Sequence, residues 1–196
     1  MEEMAGAVIK VLDQLDIMKC FVFGHSMGGY AALALLEQQP DRLMGLSLFH
    51  SHTRADTPAV IEKRHREIRV VEQGHKHLLV TQNIPNMFSS ETLPLFRQEL
   101  RFLQRIARNT PDEGITAAIR GMMARPDRTS VLENASVPCL QIIGRHDNYI
   151  PFQEVALELK LPSGSERLIL EHSGHVGFLE EKARAFTGIL KFLRNI

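Results

Sequence analysis

The sequence predicts an α/β fold: a parallel sheet of about four strands flanked by helices and interrupted by an all-helical insertion. Three observations predict it. Several short runs are apolar without period-two alternation, as expected of strands buried on both faces of a parallel sheet. Helix-forming segments alternate with these runs, as crossover connections require. The stretch from 53 to 135 carries several helical segments and no convincing strand.

Taken in order, residues 4–15 place Met4, Val8, Val11, Leu12 and Leu15 on one helical face. Cys20 to Phe23, closed by Gly24, reads as the first buried strand. Gly28-Gly29 leads into Tyr30 to Leu36, rich in helix formers and stopped before Pro40. Leu43–Phe49, Val137–Ile143 and Arg167–Leu170 read as three further strands, and residues 178–194 as a closing amphipathic helix. Within the insertion, Asp56–Gln73, Glu91–Asn109 and Asp112–Ala124 read as separate helices punctuated by Pro85, Pro94, Pro111 and Pro126. The expected organisation is a core formed by residues 1–52 and 136–196, with residues 53–135 as a helical cap.

The chain has 196 residues, 44% of them hydrophobic, enough for one sizeable core. Lys plus Arg equals Asp plus Glu at 23 each, so there is no basic footprint for nucleic acid or an anionic membrane. No apolar run approaches the roughly 18–20 residues that span a bilayer. Met1 to Lys10 lacks a basic segment followed by an apolar stretch, so no signal peptide is visible and a cytoplasmic location is expected. Two cysteines, Cys20 and Cys139, make a disulfide framework unexpected and read as buried thiols.

Chemistry enters at Gly24-His25-Ser26-Met27-Gly28, a G-x-S-x-G pattern between a strand and a helix. A sharp turn there forces the serine into a strained conformation and lifts its hydroxyl above the sheet. The flanking glycines allow strand and helix to approach, and the helix N-terminus directs free N–H groups at the reaction centre. The Met27 N–H is the candidate oxyanion donor. A base and its orienting acid are expected on loops after later strands, in the order serine, acid, histidine. Asp147 follows the third strand and His175 follows the fourth in a Gly-flanked loop. His175 would take the Ser26 proton, and Asp147 would fix its tautomer.

Other residues compete for these roles. His172 is the rival base, and His146 reads as a surface or pocket-lining residue. Asp41 and Asp56 are rival acids, but Asp41 falls on the wrong side of the sheet and Asp56 reads as a helix start. His50-Ser51-His52 and His75-Lys76-His77 are paired histidines without a second pair of ligands, so no metal is expected. His50 to His52 are expected at the mouth of the site, and His75 and His77 in solvent. Met87, Phe88, Leu93, Leu95, Phe96, Met122 and Met123 read as cap packing, some of them lining an acyl pocket.

Gly24 to Gly29, Gly144 to Pro151, and Ser173-Gly174-His175 with Phe178-Leu179-Glu180 resemble the elbow, acid and histidine loops of α/β-hydrolases in the esterase, haloperoxidase and lactonase group. The resemblance covers nearly the whole chain and implies the C-terminal half of an α/β-hydrolase sheet. It implies a capped serine hydrolase acting on small carboxylic esters, thioesters or lactones through an acyl-enzyme, with no cofactor. Relatives that open epoxides or carbon–halogen bonds need Asp at the position of Ser26. In the family about four strands precede the elbow, and one carries a His-Gly segment supplying a second oxyanion N–H. Only 25 residues precede Ser26 here, without such a segment. A partial sequence is therefore the expectation, with the elbow strand an exposed edge able to self-associate. The alternative function is a weakly active or non-catalytic fragment or binding module.

Overall fold

The computed structural model describes residues 1–156 and 159–196. Its four strands are β1 (Cys20–His25), β2 (Leu43–Phe49), β3 (Cys139–Gly144) and β4 (Glu166–Leu170), parallel and ordered β1-β2-β3-β4. Each of the four expected strands is present. In register, Phe23 pairs with Ser47, Leu48 with Gln141, and Ile142 with Leu168.

The helices are α1 (Glu2–Gln14), α2 (Met27–Gln38), α3 (Pro58–Glu72), α4 (Lys76–Asn83), α5 (Arg97–Asn109), α6 (Asp112–Met123), α7 (Thr129–Glu133), α8 (Phe152–Ala156), α9 (Gly177–Glu180) and α10 (Lys182–Leu193). On one face of the sheet, Leu33 and Leu35 of α2 pack with Leu46, Leu48, Cys139 and Leu132. On the other, Ala185 and Phe192 of α10 pack against Phe49, Leu140, Ile142 and Leu170. Two-sided burial is why β3 is buried at every position and carries no alternation in its sequence.

Some elements differ from expectation. The helix expected over Glu91–Asn109 starts only at Arg97. Pro94 has no N–H to give a helix, and Ser89 and Thr92 hydrogen-bond each other instead (Oγ to Oγ1, 3.0 Å). The helix expected from Asp56 starts at Pro58, capped by Thr57, whose Oγ1 accepts from the Val60 N–H at 3.4 Å. The closing helix is divided at Glu181, where φ is −127° and ψ is 47°. Helix α4 was not anticipated. Of the apolar stripe expected on α1, Leu12 is buried while Met4, Val8, Val11 and Leu15 are 37–62% exposed. Strand β1 lies at the sheet edge, and Phe23 on it is 42% exposed. No helix among the described residues is long and apolar enough to cross a membrane.

Candidate active site

Parallel strands deliver their C-terminal ends to one side of the sheet, and the loops after β1, β3 and β4 meet there. Ser26 occupies the turn between β1 and α2 with φ 52° and ψ −118°, a left-handed conformation that a serine holds only under constraint. The constraint is local: the Ser26 N–H donates to Phe49 O at 2.9 Å, and its carbonyl accepts from Ser51 Oγ at 2.8 Å. The turn needs glycine at two positions. A Cβ on Gly24 would sit 2.5 Å from Gly28 O, and one on Gly29 would collide with the Ser51 side chain. Gly28, the second glycine of the motif, has open space around it.

Ser26 Oγ lies 2.8 Å from His175 Nε2, and His175 Nδ1 lies 2.8 Å from Asp147 Oδ2. Asp147 Oδ1 accepts from the N–H groups of Tyr149 (2.8 Å) and Ile150 (3.0 Å). Asp147 and His175 are both buried. Burial alone would raise the Asp147 pKa, but hydrogen bonds from His175 and His50 outweigh it and hold the carboxyl well below the usual range. The carboxylate therefore stays ionised and keeps the His175 proton on Nδ1. Nε2 is left as an acceptor aimed at the Ser26 hydroxyl, an array able to draw a proton off that oxygen.

The rival residues lie elsewhere. His172 is exposed and faces Glu91 at 3.3 Å, and His146 is exposed. Asp41 sits in the turn before β2, at the opposite end of the strands. Asp56 is buried between Arg64 and Arg125. His75 and His77 are exposed. His52 Nε2 lies 3.1 Å from Tyr30 Oη, while His50 does not line the mouth at all.

His50 is buried directly behind the acid, with φ 48°. Two backbone N–H groups point at its ring, Gly144 at Nδ1 (3.2 Å) and Gly177 at Nε2 (3.1 Å), and a neutral ring can accept only one. Asp147 Oδ2, 3.2 Å from Nδ1, selects the tautomer that accepts from Gly177 and donates to the carboxylate. A Cβ on Gly177 would lie 2.7 Å from His50 Nε2, so that residue's bareness makes room for the ring. Burial keeps His50 neutral by lowering its pKa.

The histidine loop is held from other directions too. His25 Nε2 donates to His175 O at 2.8 Å, and its pKa is lowered to about 4 by burial and the neighbouring His175. The His175 N–H donates to Met87 O at 2.6 Å. Glu180 accepts from the N–H groups of Gly174 (2.9 Å) and Ser89 (2.8 Å) and from Thr92 Oγ1. His50, Asp147 and His175 also hold ligand-type atoms within 4.8 Å of one another. In this geometry both imidazole Nδ1 atoms are engaged with the carboxylate and His175 Nε2 with Ser26, so a cation would have to replace these hydrogen bonds.

Above Ser26 and His175 opens a cavity of about 380 Å³. Its walls are mostly apolar, contributed by Val71 of α3, Val80 of α4, and Ile119 and Met122 of α6. Of the insertion residues singled out in the sequence, Met87 and Met122 reach it, Phe88 is core, and Leu95 is 77% exposed.

Comparison with known proteins places the fold among α/β-hydrolases. The family model described as "Serine aminopeptidase, S33" matches residues 1–181. The "Dihydrolipoyllysine-residue acetyltransferase component of acetoin cleaving system" of Pseudomonas putida is 29% identical over 203 residues, covering 100% of this chain and 51% of that protein. The chain thus spans about half the length of that relative. A "2-hydroxy-6-oxononadienedioate/2-hydroxy-6-oxononatrienedioate hydrolase" of Cupriavidus pinatubonensis is 28% identical over 206 residues, covering 98% of this chain and 68% of that protein. Among solved structures, a malate-bound thermophilic esterase from Thermogutta terrifontis superposes with a TM-score of 0.93 at 29% identity, over 98% of this chain and 71% of that one.

Proposed function

The chain belongs to the serine aminopeptidase S33 family of α/β-hydrolases, and on that premise we propose that it is a serine hydrolase that cleaves a small carboxylic ester, or a thioester or lactone, through an acyl-enzyme. The observation that carries this reading is the continuous run of two 2.8 Å contacts from Ser26 Oγ through His175 to Asp147. Three side chains from three loops in that order favour catalysis over a binding-only role.

In this mechanism the substrate carbonyl sits in the cavity above Ser26. His175 Nε2 takes the hydroxyl proton as Oγ attacks the carbonyl carbon. The negative charge that builds on the carbonyl oxygen is met by the Met27 N–H at the start of α2, reinforced by the positive end of that helix. His175 then hands its proton to the departing alkoxide, the C–O bond breaks, and the acyl group remains on Ser26. Water, deprotonated by the same imidazole, adds to the acyl carbon; the bond from that carbon to Ser26 Oγ breaks, His175 returns its proton to Oγ, and the acid leaves. Residues 53–135 act as a cap: its helices enclose the apolar cavity and keep bulk water from the acyl-enzyme. Met87 and Glu180 couple that cap to the histidine loop.

The test is turnover of ethyl butyrate and related short neutral esters by the chain and two variants. Ser26→Ala and His175→Ala are each expected to lower kcat by about 10³-fold or more. Variants that retain wild-type turnover would remove the reading.

A further inference from the structure

A cluster of charge beside the cavity has no role in the steps above. Asp56 is buried and serves two guanidinium groups. Arg64 Nε donates to its Oδ2 at 2.6 Å, and Arg125 Nη1 to its Oδ1 at 2.7 Å. Among the described residues no second carboxylate pairs with either arginine. One carboxylate against two guanidiniums leaves a surplus positive charge largely withdrawn from water, an arrangement that favours a further anion.

The remaining donors of the two arginines are either without a partner or weakly bonded. Arg125 is 4% exposed, its Nε and Nη2 have no hydrogen-bond partner, and its guanidinium stacks on the Tyr30 ring at 3.9 Å. Arg64 Nη1 meets only the thioether sulfur of Met122 at 3.4 Å, a weak acceptor, and its Nη2 reaches Asp56 at a long 3.4 Å. Arg64 and Tyr30 line the same cavity as Ser26 and His175. Of the other charged groups on that wall, Lys76 pairs with Asp112 at 2.7 Å, while Glu67, three residues after Arg64 on the same helix, accepts from Asn83 at 3.5 Å and keeps its negative charge, so the anion is placed at the Met122 side of Arg64 and not toward Glu67. His52, behind Tyr30, has its pKa lowered to about 4 by burial and by the charge of Arg125, so it adds no cation of its own near neutral pH.

We propose that Arg64, backed by Asp56 and Arg125, forms a carboxylate subsite at the wall of the cavity, so that the preferred substrate is an ester bearing a second, free carboxylate. Such a group would accept from Arg64 Nη1 and Nη2 and balance the surplus charge of the cluster. The neutral remainder of the acyl chain would lie along Val71, Val80 and Ile119. The reaction class is then hydrolysis of half-esters of short dicarboxylic acids, or of esters of short hydroxy acids.

This assignment rests on the serine-hydrolase reading for its turnover, and the experiment separates the two. Monoethyl succinate, with the charge in the acyl half, and butyryloxyacetate, with the charge in the alcohol half, are compared with neutral ethyl butyrate. One of the two anionic esters is expected to exceed ethyl butyrate in kcat/KM by about 10-fold or more, mainly through KM. Arg64→Gln, which leaves Asp56 and Arg125 as a balanced pair, is expected to lower that preference ratio by about 10- to 100-fold, and Arg64→Lys to restore part of it. A ratio unchanged in Arg64→Gln, or no preference for either anionic ester in the wild-type chain, overturns the subsite. Calorimetry of monoethyl succinate and butyryloxyacetate on Ser26→Ala needs no turnover. Binding of one of them, lost in the Ser26→Ala, Arg64→Gln double variant, upholds the subsite even if hydrolysis is absent. Absence of binding by both overturns it while leaving the hydrolase reading to the neutral ester.

Discussion

Asp147 accepts four hydrogen bonds, from His175, His50 and two backbone N–H groups, and only the first was legible in the sequence. Ser26, Asp147 and His175 could be read because a five-residue motif, a strand end and a Gly-flanked loop follow one another in a fixed order. His50 could not. Its contribution depends on a left-handed turn at the end of β2 and on room left by glycines 94 and 127 residues further along the chain. Because His50 is neutral, it steadies the acid as a dipole. Removing it leaves more negative charge for His175 to feel, which stabilises the imidazolium. In His50→Asn, a residue that tolerates left-handed φ, kcat is expected to fall roughly 10-fold, the effect of one hydrogen bond to a charged group. The acid limb of kcat against pH is expected to move to higher pH. An unmoved limb with unchanged kcat, measured on ethyl butyrate, would show that His50 only fills space.

Elements were legible where burial is two-sided. Strands β2 and β3 are apolar on both faces apart from Ser47 and Gln141 because helices cover both sides, and their limits in the structure lie within two residues of those read from the sequence. The elbow was legible as a type but not in its detail. The glycine that lets α2 approach Ser51 is Gly29, outside the five-residue pattern, while Gly28 contacts nothing that a Cβ would disturb. The late start of α5 in the insertion and the break of the closing helix at Glu181 both fall where distant segments meet. Glu180 reaches across to Ser89 and Thr92, so residues 88–96 serve the histidine loop instead of extending a helix. No local periodicity encodes that. Helix α4 was missed because its eight residues, KHLLVTQN, bury only Val80 and present no stripe.

Across the molecule, buried histidines tie stability to pH. His25 and His52 each have a pKa lowered to about 4, chiefly by burial, against about 6.5 in an unfolded chain. Below about 6.5 the unfolded chain therefore binds more protons than the folded one, and stability falls as pH drops towards 4. Asp147, with its pKa depressed, adds stability that is present above about 3.9 and is lost at lower pH still. Thermal unfolding followed from pH 8 to pH 4 is expected to show a level Tm down to about 6.5 and a steady decline below, at most about 1.4 kcal/mol per pH unit for each histidine. His52→Gln is expected to make that decline shallower. A Tm that stays level from pH 6.5 to 4 would contradict the burial of these rings as neutral groups.

The central claim is that Ser26 is a nucleophile driven by His175, and covalent labelling reads it directly. After incubation with an alkyl fluorophosphonate, the account predicts a single adduct on the peptide containing Ser26, formed by the wild-type chain and absent from Ser26→Ala and His175→Ala. An adduct on another serine, or labelling of Ser26 at the same rate without His175, would contradict it.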